Sequence, residues 1–292
     1  MKSREFTKPF RIAEGAHFRL KDFDPAETLD LKSKEHAQEA LDRGIARLSE
    51  RQEKLYAQDR WAILVILQAM DSAGKDSTIK HVMSGVNPQG CNVTSFKAPA
   101  IEDLSHNFLW RSQRFLPERG MIGIFNRSYY EEVLVTRVHP EMLAREKVPA
   151  RLVTDKIWQE RFEDINACER HLSRNGVVVL KFFLNLSKKE QQKRFLERLD
   201  NPGKNWKFSE NDVLERRHWD KYMSAYEDMI RNTSTKYAPW HVIPADHKWF
   251  TRLAVAEVLI DALEGLDLSF PKVDSDRQKE LKNARRTLKR ES

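Results

Sequence analysis

The sequence has little cysteine. Its 292 residues include two, Cys91 and Cys168, and neither sits in a CxxC pair. This excludes a disulfide framework and a Cys-based structural zinc site, and it fits a reducing compartment. No stretch approaches 18 uninterrupted apolar residues, so no membrane span is expected. The opening segment, MKSREFTKPF, lacks the apolar centre of a secretory signal, which leaves the cytoplasm as the expected location. Zinc-finger spacing, an RNA-binding aromatic signature, internal repeats and low-complexity tracts are all missing. So is any Ser/His/Asp or HExxH arrangement, so His81 and His241 do not read as catalytic.

Charge is what the chain has in quantity. Charged residues make up 33% of it and apolar residues 40%, with 51 Lys and Arg against 44 Asp and Glu, a net +7. A basic excess favours polyanionic partners: nucleic acid, anionic lipid or phosphate-rich small molecules. Charge alone does not choose among them. Five short apolar runs read as strands: Trp61–Leu67, Asn92–Lys97, Met121–Phe125, Val177–Leu186 and Trp240–Pro244. Three are near-continuous, as strands of a parallel sheet covered on both faces are. Long charged amphipathic segments separate them, and the sum is a doubly wound α/β sandwich. A helix is expected over Thr28–Gln58, with Leu29, Ala37, Leu41, Ile45, Leu48 and Leu55 as its apolar side. Pro140–Asn175 also reads as helical. So does the very basic stretch Ser187–Ser234, broken at Asn201-Pro202-Gly203. The polar tail from Pro271 reads as a loosely attached helix or as disordered.

After the first strand comes Gln68-Ala69-Met70-Asp71-Ser72-Ala73-Gly74-Lys75-Asp76-Ser77-Thr78. A loop wrapping toward a helix N-terminus points backbone N–H groups inward, and the helix dipole and a lysine ammonium add positive charge. That is a phosphate loop, with Ser72, Ala73, Gly74, Ser77 and Thr78 expected around the phosphate. The match to GxxxxGK[ST] is imperfect: Ala69 holds the first glycine position and Asp76 the hydroxyl position. Asp71 and Asp76 place two carboxylates beside the loop, which suits an oxygen-liking metal such as Mg²⁺. The plain alternative is a strand-turn-helix with a surface lysine.

The third strand ends in Asn126-Arg127-Ser128-Tyr129-Tyr130-Glu131-Glu132. Strand C-termini are where such sheets bind ligands. Arg127 offers a planar fork for bidentate phosphate contact. Ser128 reads as a helix N-cap completed by Glu131 in a capping box. Tyr129 and Tyr130 read as packing residues, His81 as structural, and Cys91 as a small buried residue.

Four stretches, AMDSAGKDSTIKHVMSGVNPQG, IFNRSYYEEVLV, WKFSENDVLERRHWDKY and APWHVIPADHKWFTR, resemble the polyphosphate kinase 2 family in order and spacing, across about Phe18 to Asp267. The resemblance implies a P-loop kinase-like three-layer sandwich with a five-stranded parallel sheet. It implies one phosphotransferase domain spanning 1–292, with a helical lid over about 140–215. The implied reaction is reversible, magnesium-dependent transfer between inorganic polyphosphate and nucleoside mono- or diphosphates. Adenine nucleotides are the expected acceptors and guanine nucleotides further ones. Asp71 and Asn126 correspond to the family's metal positions, and Lys75, Asp76 and Arg127 to its phosphate-handling residues. Arg194 and Arg198 map to its lid arginines. Many members carry Asp-Arg-Ser-Trp-Tyr-Asn at the third strand. The variant here, with Asn126 and Glu131, looks like the subgroup called class III, which accepts both mono- and diphosphates. A homo-oligomer is expected, with no membrane partner and no specific nucleic acid.

Basic residues cluster from Lys188 to Lys207, and Glu190, Arg194 and Arg198 share a helix face at spacings of four. Lys188, Lys189 and Lys204 read as a solvated face. Lys248 and Arg252, beyond the last strand, extend a positive track for a long polyanion. Two other readings remain open: an ATP-dependent nucleotide kinase on the same fold, and a non-catalytic polyanion-binding module.

Overall fold

The computed structural model describes residues 3–31 and 33–291, apart from the side chain of Lys207. Six strands form the sheet: β1 (Arg11–Ile12), β2 (Ala62–Gln68), β3 (Cys91–Ser95), β4 (Ile122–Asn126), β5 (Val177–Asn185) and β6 (Trp240–Pro244). Their order is β1-β6-β5-β2-β4-β3. Five run parallel, and β1 pairs antiparallel with β6 through Arg11 opposite His241 and Ile12 opposite Trp240. The expected count of five was short by this edge strand. Two residues after Pro9 are too few to show a period.

Every residue of β2 is buried, which explains its continuous apolar run. Ile63, Val65 and Leu67 face one core; Leu64 and Ile66 face the other. Each of these side chains contributes about 2 kcal/mol by leaving water. On the first face lie α1 (Ser3–Thr7), α2 (Lys34–Gln58), α3 (Lys75–Val82) and the apolar α11 (Lys248–Glu264). On the second lie α5 (Glu131–Val138), α7 (Ile157–Arg174) and α10 (Trp219–Thr233). The result is three layers, helix, sheet, helix. Shorter helices, α4 (Trp110–Gln113), α6 (Pro140–Ala144), α8 (Lys188–Leu199) and α9 (Glu210–Glu215), surround the sheet's C-terminal edge, and α12 (Ser275–Leu288) follows α11.

The structure shortens the expected first helix. Glu27 accepts from the backbone N–H groups of Thr28 and Leu29, and Leu29 and Asp30 have positive φ, so the chain turns there. α2 starts only after Ser33, whose hydroxyl accepts from His36 N. Leu29 still packs on the core, from the turn rather than from a helix. The stretch from Pro140 is interrupted by Lys147 at positive φ and by Pro149, which restricts the residue before it. The break at 201–203 is where expected, between α8 and α9. The tail is helical over Ser275–Leu288, and none of its residues is buried. No helix among the described residues is long and apolar enough to cross a membrane.

Candidate active site

β2 and β4 are neighbours with Leu67 opposite Asn126, so the loop after β2 and the turn after β4 emerge side by side. Residues 69–74 swing from β2 to α3 through Ser72 at φ 64° and Gly74 at φ 106°. The second angle is one that only glycine adopts without strain. Lys75 opens α3, and its ammonium folds back to donate to the Ala69 carbonyl at 2.9 Å. Burial lowers its pKa most, and the Arg127 guanidinium lowers it further, against Asp71, Glu131 and Asp76. Asp76, exposed, accepts from Asn126 Nδ2 at 2.6 Å.

Arg127 has φ 65° and anchors its backbone N–H on Leu67 O at 3.1 Å. Its fork spans the crevice, with Nη2 donating to Asp71 Oδ1 at 2.7 Å and Nη1 to Glu131 Oε2 at 3.1 Å. Glu131 first, and Asp71 after it, hold this guanidinium in its charged form. Gln68, fully buried at the end of β2, ties the two loops together. Its amide donates to Glu131 Oε1 at 2.8 Å and accepts from Ser128 Oγ at 3.1 Å.

The capping box expected at Ser128 and Glu131 does not form. Ser128 Oγ accepts from Tyr130 N, α5 begins at Glu131, and the Glu131 carboxylate is used on Arg127 and Gln68. Tyr129 and Tyr130 are packing residues as expected, buried with both hydroxyls on Glu169 Oε1. Glu169 in turn pairs with the fully buried Lys181. His81 serves its own helix, with Nδ1 2.7 Å from Ser77 O. Cys91 is half-buried rather than buried, and burial pushes its thiol up to about 11.

α8 lies against the outside of the loop. Arg194 is nearly inaccessible, with its side chain 4% exposed. It donates Nη1 to Ser72 O and Ala73 O, Nη2 to Ala245 O and Asp246 O, and Nε to Glu190. Arg198, one turn on, donates to Ser72 Oγ at 2.6 Å and to Asp212 of α9 at 3.1 Å. Gln191 donates to Asp71 O at 3.0 Å. Arg252 reaches toward Ser77 Oγ at 3.5 Å, and Lys248 stands exposed at the start of α11. Thr78 is buried, its N–H on Gly74 O. The loop residues, Asp71, Lys75, Asp76, Asn126, Arg127, Glu131, Arg194 and Arg198 are therefore gathered at one sheet edge. Lys248 stands at its border.

Beside Arg127 opens a cavity of about 570 Å³, lined by Asp71, Glu131, Thr136, Met142, Asp212 and Tyr222 among others. Glu132 on its wall is pushed up to about 7, by burial and then by the Glu146 carboxylate, against Arg111 and Arg161. Burial, then Asp71, raises Asp212, which Arg198 opposes. Gln68, Gln191, Asp212, Glu215 and Tyr222 were not singled out from the sequence. Asp212, Glu215 and Tyr222 carried one signal, their place in the stretch WKFSENDVLERRHWDKY.

A family model described as polyphosphate kinase 2 matches residues 31–271. An ADP-polyphosphate phosphotransferase of Rhodopseudomonas palustris is 50% identical over 283 residues, covering 97% of this chain and 98% of that protein. An AMP/ADP-polyphosphate phosphotransferase of Meiothermus ruber is 45% identical over 273 residues, covering 93% and 98%. The crystal structure of polyphosphate kinase 2 from Arthrobacter aurescens TC1 superposes with a TM-score of 0.88 at 41% identity, covering 100% and 98%. The chain belongs to the polyphosphate kinase 2 family.

Proposed function

We propose that this protein is a cytoplasmic, polyphosphate-dependent nucleotide kinase. It moves a phosphoryl group reversibly between inorganic polyphosphate and nucleoside mono- and diphosphates, AMP to ADP and ADP to ATP. The observation that carries this reading is the Arg127 fork joining Asp71 and Glu131 between a lysine-bearing loop and a cavity of about 570 Å³. An anion-binding loop on one side and a nucleotide-sized cavity on the other give two phosphates a common meeting point. In this reading residues 69–78 are a P-loop, and the helices around 140–215 form its lid.

The terminal phosphoryl of the donor lies in the loop, where a phosphate oxygen replaces the Ala69 carbonyl as the partner of Lys75. The acceptor phosphate enters from the cavity and is aligned by Arg127. Phosphoryl transfer asks mainly for positioning and charge neutralisation. The acceptor oxygen is already anionic, so no strong general base is needed. Arg194 holds the loop's outer carbonyls and thereby points its N–H groups inward. Arg198, at the loop's solvent edge on Ser72, is the α8 arginine placed to reach the transferred group. Lys248 and Arg252 extend positive charge outward for the donor chain.

The oxygens of Asp71, Asp76 and Asn126 fit Mg²⁺. The free oxygen of Asp71 and the amide oxygen of Asn126 are hard donors. Among the described residues no group of three His, Cys, Asp or Glu forms a closed cage. Mg²⁺ ordinarily takes one or two carboxylates together with water and substrate phosphates. When bound it neutralises charge on the donor and acceptor phosphates.

The test is turnover of AMP and of ADP with polyphosphate and Mg²⁺ in the absence of ATP, followed by nucleotide chromatography. The reading requires ADP from the first reaction and ATP from the second. If ATP proves to be the only effective donor, the protein is an ordinary nucleotide kinase instead.

A further inference from the structure

The charge of this chain is unevenly placed. Residues 272–292 hold eight Lys and Arg against four Asp and Glu, a net +4 of the chain's +7. This segment lies beyond residues 31–271, which carry the family match. Every described residue from Ser269 to Glu291 is exposed. α12 thus contributes nothing to the core, yet it concentrates cations.

Two of its basic residues are neutralised locally, Arg277 by Glu280 and Lys279 by Asp276. Lys282, Arg285, Arg286 and Arg290 have no carboxylate partner among the described residues. Lys282 lies three and four residues from Arg285 and Arg286, so like charges meet on one helix face and repel. A short helix without tertiary packing is marginal in water. A polyanion along this face relieves the repulsion and stabilises the helix together.

We propose that α12 and its flanks form a second binding site for long-chain polyphosphate, tethering the donor whose end is consumed at the active site. The proposal rests on the polyphosphate-donor reading above. Its chemistry favours that ligand over other polyanions. Residues 271–292 contain no aromatic side chain on which nucleic-acid bases stack. Leu281 and Leu288 give α12 too little apolar face to bury in a membrane surface. From Lys248 beside the active site, α11 carries the chain 17 residues, about 25 Å at 1.5 Å per residue. A polyphosphate long enough to reach from the active site to α12 bridges both sites, and for such a chain the second contact raises the effective donor concentration at the first.

The test uses the full chain carrying Lys282→Gln, Arg285→Gln, Arg286→Gln and Arg290→Gln together, all exposed positions. Donor KM and kcat are measured with long-chain polyphosphate and with an oligophosphate too short to span α11. We expect KM for the long donor to rise about ten-fold, as loss of a tether does. Its salt dependence becomes shallower, as fewer counterions are released. Both kcat values and KM for the short donor stay unchanged. A chain ending at Pro271 repeats the pattern. An unchanged long-donor KM overturns the proposal, as does loss of RNA or anionic-vesicle binding with donor kinetics intact. Failure of the donor reading itself is seen separately, as absence of turnover with either donor in the unsubstituted protein.

Discussion

Arg194 was expected, from the family resemblance, to be a lid arginine closing over the transferred group. Its surroundings point to a different result for Arg194→Ala. The guanidinium is sealed beneath the loop and donates to four backbone carbonyls and the Glu190 carboxylate. Truncation leaves those carbonyls and a carboxylate without their partner in a site that water reaches poorly. A hydrogen bond from a charged donor is worth about 1.5–3 kcal/mol, but bonds in one cluster do not add. Breaking a buried charge cluster by removing one member costs about 3–5 kcal/mol. For a chain of this size that corresponds to a Tm decrease on the order of 10 °C. Denaturant and thermal unfolding of the wild type, Arg194→Ala and Arg194→Lys measure it. Lysine keeps the charge but cannot span four carbonyls, so it should recover only part of the loss. An Arg194→Ala protein with wild-type stability and reduced turnover would refute this and restore the substrate-contact role.

Three further outcomes follow from the same structure. Lys75→Ala and Arg127→Ala should each lower kcat by about 10²–10³, the cost of losing one preorganised charge donor, with circular dichroism and Tm near wild type. His241 is buried on β6, and burial pushes its imidazole down to about 3. Its unfolded form binds a proton below about 6.5, so its share of stability is intact above that pH and is lost on acidification toward 3. Between pH 7 and 5 this amounts to about 2 kcal/mol, and His241→Gln should show a correspondingly smaller Tm drop over that interval. Lys181→Met should destabilise by about 3–5 kcal/mol, because it strands the Glu169 carboxylate. Adding Glu169→Gln, which keeps an acceptor for Tyr129 and Tyr130, should return most of that in equilibrium unfolding.

The elements legible in the sequence were those whose pattern is local. β2 and β5 announced themselves as continuous apolar runs, and Gly74-Lys75 marked the turn into α3. β1 was not legible, because its two residues are a strand only through pairing with β6. The Ser128-Glu131 spacing suggested a cap, but the glutamate is claimed by Arg127, itself held by Asp71 on the other loop, and by Gln68 at the end of β2. Sequence spacing put Arg194 and Arg198 on one face of α8. It could not show that the loop carbonyls and α9 divide them into a sealed anchor and a solvent-edge arginine. Gln68 and Gln191 join segments 60 and 120 residues away, and such ties have no signature in a linear pattern.

A polyphosphate-dependent kinase passes phosphate from polyphosphate itself to the nucleotide. Polyphosphate carrying ³²P, incubated with unlabelled ADP, Mg²⁺ and the protein, tests it directly. ATP labelled at the γ position is expected, with label transfer slowed about 10²–10³-fold by Lys75→Ala. Unlabelled ATP accompanied by AMP would mean that two ADP molecules had exchanged phosphate and that polyphosphate is not the donor.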